Sequence, residues 1–140
     1  MKWLLALVSV FGFMHGVLVF QKKTRRETYA QLDTLYLRVY ENPIKYPALI
    51  DPEKTKMYLS LQNDEKLRYI AYAYSVFLVV ETVYDWGLMD ENIRKTWESV
   101  FKTEAALHIQ WLKDQAKLEF SPFKREFIDF MLNLENEIDL

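Results

Sequence analysis

Two pairs of residues in this chain have the types and the spacing that metal or acid–base chemistry needs. Glu81 and Asp85 lie four apart at the end of the most apolar stretch, so on a helix they share one face and lose part of their hydration. Two close carboxylates ligate a cation, or divide into an acid and a base when their pKa values are driven apart. Glu104 and His108, also four apart, would have to complete any such site. Dinuclear centres in helical bundles take Glu-x-x-His from two helices plus further glutamates, a spacing absent here. Each pair also has a plainer structural reading. Glu81 would bond an Arg, Lys or Tyr of a neighbouring helix to fix packing, and His108, between Leu107 and Ile109, would be a core or boundary histidine. No metal site is assigned on this pattern; Glu81, Asp85, Glu104 and His108 are the residues from which one would be built.

Other chemistries lack their residues. Ser60, Ser75, Ser99 and Ser121 have no glycine elbow to present a nucleophile. No glycine stands between Gly16 and Gly87, which rules out a phosphate-cradling loop. Without cysteine there is no disulfide, no thiol nucleophile and no thiolate metal site. Trp86, Trp97 and Trp111 recur at helical spacing and read as core fillers, so no cofactor is expected. The residue inventory therefore favours a non-enzymatic role.

The elements that would carry these residues are helices throughout. Residues 3–20, WLLALVSVFGFMHGVLVF, hold no acid, Lys or Arg and are followed by Lys22, Lys23, Arg25 and Arg26. At about 1.5 Å of rise per residue this stretch nears the short end of what crosses a roughly 30 Å hydrocarbon layer. It ends without the small residues of a cleavage site and carries its heavier charge afterwards, so it reads as an uncleaved signal-anchor. The four cations that follow outweigh Lys2 and the terminal amine, which places the remainder of the chain in the cytoplasm and the anchor in the inner membrane as a single pass. Beside the bilayer, the same four cations are also placed to touch anionic lipid heads. Ser9, Gly12, His15 and Gly16 fall near one helical face, and the Gly-x-x-x-Gly spacing suits close packing of two anchors into a homodimer.

Past residue 26, 114 residues remain, which suffice for one compact domain. A hydrophobic content of 51% with 16% aromatics supplies a sizeable core. Five of the 18 Lys and Arg precede residue 27 and none of the 20 acids does, leaving an acidic domain unsuited to nucleic acid. Periodic Tyr29, Leu32, Leu35, Tyr36, Val39 and Tyr40 extend the anchor helix to about Glu41, where Asn42-Pro43 stops it; Tyr46-Pro47 then keeps the chain extended. Asp51-Pro52 reads as an N-cap with proline at the first helical position, opening a helix to about Leu61. Asn63 or Asp64 caps the central helix, about residues 64–86, whose run YIAYAYSVFLVV is apolar nearly all round; Gly87 ends it in the left-handed conformation. That run is too short and too closely bracketed by charge for a second span. Asp90 caps a helix carrying Ile93, Trp97, Val100 and Phe101, continued by Leu107, His108, Trp111 and Leu112 with Thr103 as an internal restart. Ser121-Pro122 opens the last helix, with the stripe Phe123, Phe127, Phe130, Met131, Leu134 and Ile138.

With its anchor and basic stop, the helix end from Leu32 to Asn42-Pro43, Glu81-Thr82-Val83-Tyr84, Trp97, Trp111 and Phe120-Ser121-Pro122-Phe123 leading to Phe127, the chain resembles a loose group of small bacterial membrane-anchored helical proteins of uncharacterised function. The resemblance covers most of the length and implies fold-level kinship; it carries no activity and no functional residue.

The expected architecture is all-α: an anchor over 1–26 and a four- to five-helix bundle-like domain over 27–140. The expected role is an interaction or scaffolding module holding itself or an unidentified protein partner at the lipid bilayer. Two alternatives stay open, a metal-dependent enzyme or metal binder using the carboxylates, and a binder of lipid or another apolar ligand among the helix aromatics.

Overall fold

The computed structural model describes residues 2–136, with side chains described for 14–20 and 22–134. Every regular element among them is helical. The chain divides into two compact units, Met1–Thr34 and Leu35–Leu140.

Helix α1 spans Lys2–Lys45 without a break. In its first unit Thr24, Thr28 and Thr34 each return their hydroxyl to the carbonyl four residues back, at 2.7–2.9 Å. The helix passes through Pro43 and ends two residues later, beyond the expected stop. Proline at 43 has no N–H for the Val39 carbonyl, and Asn42 supplies one instead: its Nδ2 donates to Val39 O at 3.1 Å. Tyr46-Pro47 does not leave the chain extended. Pro47–Ile50 forms a 3₁₀ turn closed by Leu49 N–H to Tyr46 O at 3.0 Å, and burial of Leu49 holds it in place.

Asp51 caps α2, Pro52–Lys56, by accepting from Glu53 N–H at 3.0 Å, with proline at the first helical position. A second 3₁₀ turn at Tyr58–Ser60 leads into α3, Asn63–Gly87. This helix is the centre of the second unit and buries Tyr69, Tyr72, Ala73, Val76, Phe77 and Val80. Its N-cap is Gln62, without a side-chain bond, so neither Asn63 nor Asp64 caps it; Asp64 and Glu65 complement the helix dipole in the first turn. Gly87 is not left-handed either, because no described glycine has a positive φ. A Cβ there would stand 3.3 Å from the Cβ of Arg94, so a side chain at 87 would press on the next helix where it passes close.

Asp90 caps α4, Glu91–Thr96, by accepting from Asn92 N–H at 3.0 Å. The periodic pattern that follows does not restart at Thr103. It bends at Trp97 (φ −96°, ψ 2°) and His108 (φ −114°, ψ 26°), giving α5, Glu98–Leu107, and α6, Ile109–Ala116. The bend at Trp97 lets short segments meet different partners: α4 packs on α3, whereas α5 and α6 both pack on α7, Arg125–Asn136. The four or five helices expected after the anchor are thus six after α1 among the described residues. Ser121 does not cap α7; its Oγ accepts from Phe123 N–H at 3.2 Å in the turn before it. Phe123, Phe127, Met131 and Leu134 are buried as the stripe requires, Ile128 joins them, and Ile138 lies outside the described residues.

An aromatic cluster fills the core. Phe77 stacks on Trp111 with ring centres 5.1 Å apart and planes 15° apart, and Tyr74 and Phe127 close around them. Of the three expected core fillers, Trp97 and Trp111 are buried and Trp86 is half-buried.

Candidate functional site

Glu104 and His108 form the polar heart of the second unit. The four-residue spacing, from α5 to the bend that ends it, turns both inward, where each side chain is wholly buried. Glu104 Oε1 accepts hydrogen bonds from the hydroxyls of Tyr36 and Tyr40, each at 2.7 Å. Those tyrosines are themselves four apart on α1, so their hydroxyls converge on one oxygen. His108 Nδ1 and the Tyr69 hydroxyl are 2.7 Å apart, a hydrogen bond whose donor follows the imidazole tautomer. His108 Nε2 faces Glu104 Oε2 at 3.3 Å, at ion-pair range but longer than the roughly 2.7–2.9 Å of a charge-assisted bond. These two atoms and the Tyr72 hydroxyl are buried without a hydrogen-bond partner.

The electrostatics follow from this geometry. Burial pushes the Glu104 carboxyl up, but the nearby His108 imidazole and the two tyrosine hydroxyls outweigh it and hold the group below its ordinary value. The phenols move the other way. Burial first, and the Glu104 charge second, drive Tyr36 and Tyr72 well above the ordinary tyrosine range. Burial does the same to Tyr69, with the Tyr58 and Glu104 charges following. Tyr40 is pushed up to about 12, by burial and by Glu104. The cluster is thus an ionised carboxylate held by neutral phenols and an imidazole. It ties the end of α1 to α3 and α5, and all five side chains that bond there are inaccessible or only half-exposed.

Glu81 and Asp85 have a separate task. Glu81 Oε2 accepts from the backbone N–H of Lys124 at 2.9 Å, and Asp85 Oδ2 accepts from Lys124 Nζ at 2.6 Å. The Asp85 bond holds the Lys124 ammonium above its usual value. Since Lys124 O accepts from Ile128 N–H, Lys124 stands at the N-terminal edge of α7, and Glu81 caps that helix from α3. The partner is a backbone amide and not the side chain anticipated. Glu81→Ala should lower domain stability by about 1 kcal/mol, the cost of a lost N-cap, and Glu81→Gln by less because an acceptor oxygen remains. Thermal melting checks this; an unchanged midpoint in Glu81→Ala would show that the bond adds nothing.

The structure therefore does not gather Glu81, Asp85, Glu104 and His108 into one site. Among the described residues no group of three or more His, Asp or Glu is placed to hold a metal ion. The tyrosines that complete the Glu104 cluster went unnoticed in the sequence, though Tyr36 and Tyr40 repeat the four-residue spacing of Glu104 and His108.

Of the anchor residues, Lys22, Lys23, Arg25 and Arg26 are exposed on α1, with Lys23 in a 4.0 Å pair with Glu27. His15 and Gly16 are exposed as well; the side chain of Ser9 and the packing of Gly12 lie outside the described residues. Among the described residues no helix is long and apolar enough to cross a membrane, and for most of the expected span, residues 3–13, no side chain is described. Compared with known protein families, curated proteins and solved structures, the chain matches none.

Proposed function

We propose that the chain is a membrane-tethered interaction module, with residues 3–20 as a single-pass anchor and the helical unit from Leu35 onward engaging a partner on the cytoplasmic side. One observation carries this reading. On α1, Met14, Leu18, Val19 and Phe20 are each more than half exposed, and the next turn presents Lys22, Lys23, Arg25 and Arg26 to solvent. Apolar side chains bared to water on successive turns are unfavourable by roughly 25 cal/mol per Å², whereas a bilayer takes them up and leaves the cations at its cytoplasmic face. The Glu104 cluster supports a scaffold over an enzyme, since its hydrogen bonds are spent on joining helices. Self-association is the simplest partnership: a Cβ on Gly16 would have nothing within 4 Å, so this side of α1 is open to close approach by a second helix.

Membrane fractionation of the full chain tests the reading. The protein should stay with membranes through alkaline carbonate washing, and a reporter fused after Leu140 that works only outside the cytoplasm should be silent. Replacing Val10 and Phe11 together, in the middle of the 3–20 stretch, by Asp should cut the membrane-bound share at least about tenfold, given a cost of roughly 2.5–3.5 kcal/mol for each acid at the centre of a span. Wild-type protein found in the soluble fraction would refute the anchor, and an active reporter the orientation.

A further inference from the structure

Between Lys45 and Tyr69 the second unit folds around a cleft of about 220 Å³. Three cations line it, Lys45, Lys54 and Arg68, against one carboxylate, Glu65. Among the described residues none of the three cations is in a salt bridge. Two of them lean on the same ring instead: the Arg68 guanidinium carbon lies 4.0 Å from the centre of Tyr46, and Lys45 Nζ lies 5.4 Å from it. Such contacts at exposed sites contribute only about 0.5–1 kcal/mol, far less than a phosphate could add to a guanidinium fork, so both charges stay available to an anion. Bringing like charges to one ring also raises the local positive potential.

The remaining wall is apolar. Leu49 and Tyr69 are buried at its base, and Leu61 stands beside them. The volume falls below the roughly 300 Å³ at which pockets begin to take drug-sized molecules, so the occupant is a charged head with a short body. An excess of two positive charges matches a phosphate monoester, which carries about −1.5 to −2 near neutral pH, better than it matches a carboxylate. We propose that this cleft binds a small organic phosphate monoester, its phosphate on Arg68, Lys54 and Lys45 and its carbon chain against Leu49, Leu61 and the Tyr46 ring. The proposal stands on the cleft alone and not on membrane attachment.

Calorimetric titration of the full chain with butyl phosphate tests it. Arg68→Gln and Lys54→Gln should each weaken binding by about tenfold, as expected of a lost charge-assisted bond, with the melting midpoint unchanged. Butyrate, with a similar body and one charge, should bind less tightly than butyl phosphate. Location is read from the two histidines: Tyr69 lines the cleft and bonds His108 Nδ1 at 2.7 Å, so saturation should move the His108 ring resonances and leave those of His15 in place. No binding, wild-type affinity in both Gln variants, or a response at His15 instead of His108 would overturn the proposal; the last would put the phosphate on the basic turn after residue 20. Vesicles of phosphatidylcholine with and without phosphatidic acid then separate the sources. Displacement of butyl phosphate only by the phosphatidic acid vesicles identifies a lipid headgroup, and no displacement a soluble phosphate.

Discussion

Glu104→Ala is expected to be the most damaging single substitution at the polar centre of this protein, lowering stability by about 3–5 kcal/mol. The wild-type carboxylate is fully buried, accepts from Tyr36 and Tyr40 at 2.7 Å, and faces His108 at 3.3 Å. Truncation strands two phenol hydroxyls and an imidazole in the core, and each unpaired group then bears its own desolvation cost. Domains of this size are stable by only about 5–15 kcal/mol, so the variant should melt far below wild type or fail to fold at ambient temperature. Glu104→Gln keeps an acceptor for both tyrosines and loses only the charge, so it should fall between the two. Equal melting temperatures for Glu104→Ala and wild type would show that the cluster is not closed in solution. The acid side gives the same group a second signature. Its folded value lies below the ordinary 4.5, so the stability it contributes is present above that pH and is lost as pH falls through the lowered value.

Alkaline titration should produce the second large effect. Tyr58, Tyr69 and Tyr72 are buried, and burial raises all three above the 10.0 at which an unfolded tyrosine ionises. For a phenol with a raised folded value, stability is complete below pH 10 and is lost as pH climbs through the folded value. Above pH 10 each of the three costs the folded state about 1.4 kcal/mol per pH unit, or roughly 4 kcal/mol together. Tyr36 and Tyr40, half-exposed and partly screened, add less. Helix content and tyrosinate absorbance should therefore change together in one steep transition above pH 10. Tyrosinate absorbance that rises gradually around pH 10 with helix content intact would place these hydroxyls in water.

Local signals in the chain were readable where the physics is local. Asp51-Pro52 and Asp90 cap their helices through their own side chains, and the apolar run ahead of Glu81 is the buried centre it resembles. Readings went astray where a distant partner decided the outcome. Pro43 failed to stop α1 because Asn42 replaced its missing donor, and Gly87 answers to Arg94 on the next helix and not to its own turn. The bends at Trp97 and His108 carry no glycine or proline, and apolar periodicity runs straight through them; the first divides α4 on α3 from α5 on α7, and the second lies between two segments that both pack on α7. The Glu104–His108 pair was visible from spacing alone. Its partners were not, since Tyr36 lies 68 residues from Glu104 and Tyr69 lies 39 from His108, and nothing in a tyrosine's neighbours announces which carboxylate it will meet. For the same reason the expected partner of Glu81 is an Arg, Lys or Tyr side chain, whereas it ends on an amide 43 residues away.

That 68-residue separation also fixes a schedule for biosynthesis. A ribosome adding about 5–20 residues per second needs roughly 3–14 s after Tyr36 to make Glu104. Through that interval the end of α1 has no carboxylate to close on. Its tyrosines wait on water, and its apolar side is bare while the stretch ahead of it is already outside the exit tunnel. Closure over so many residues is a late, entropically costly event. A nascent chain stalled before Glu104 should thus be an open target for chaperones and proteases, and one stalled well after His108, with the cluster outside the tunnel, should resist them.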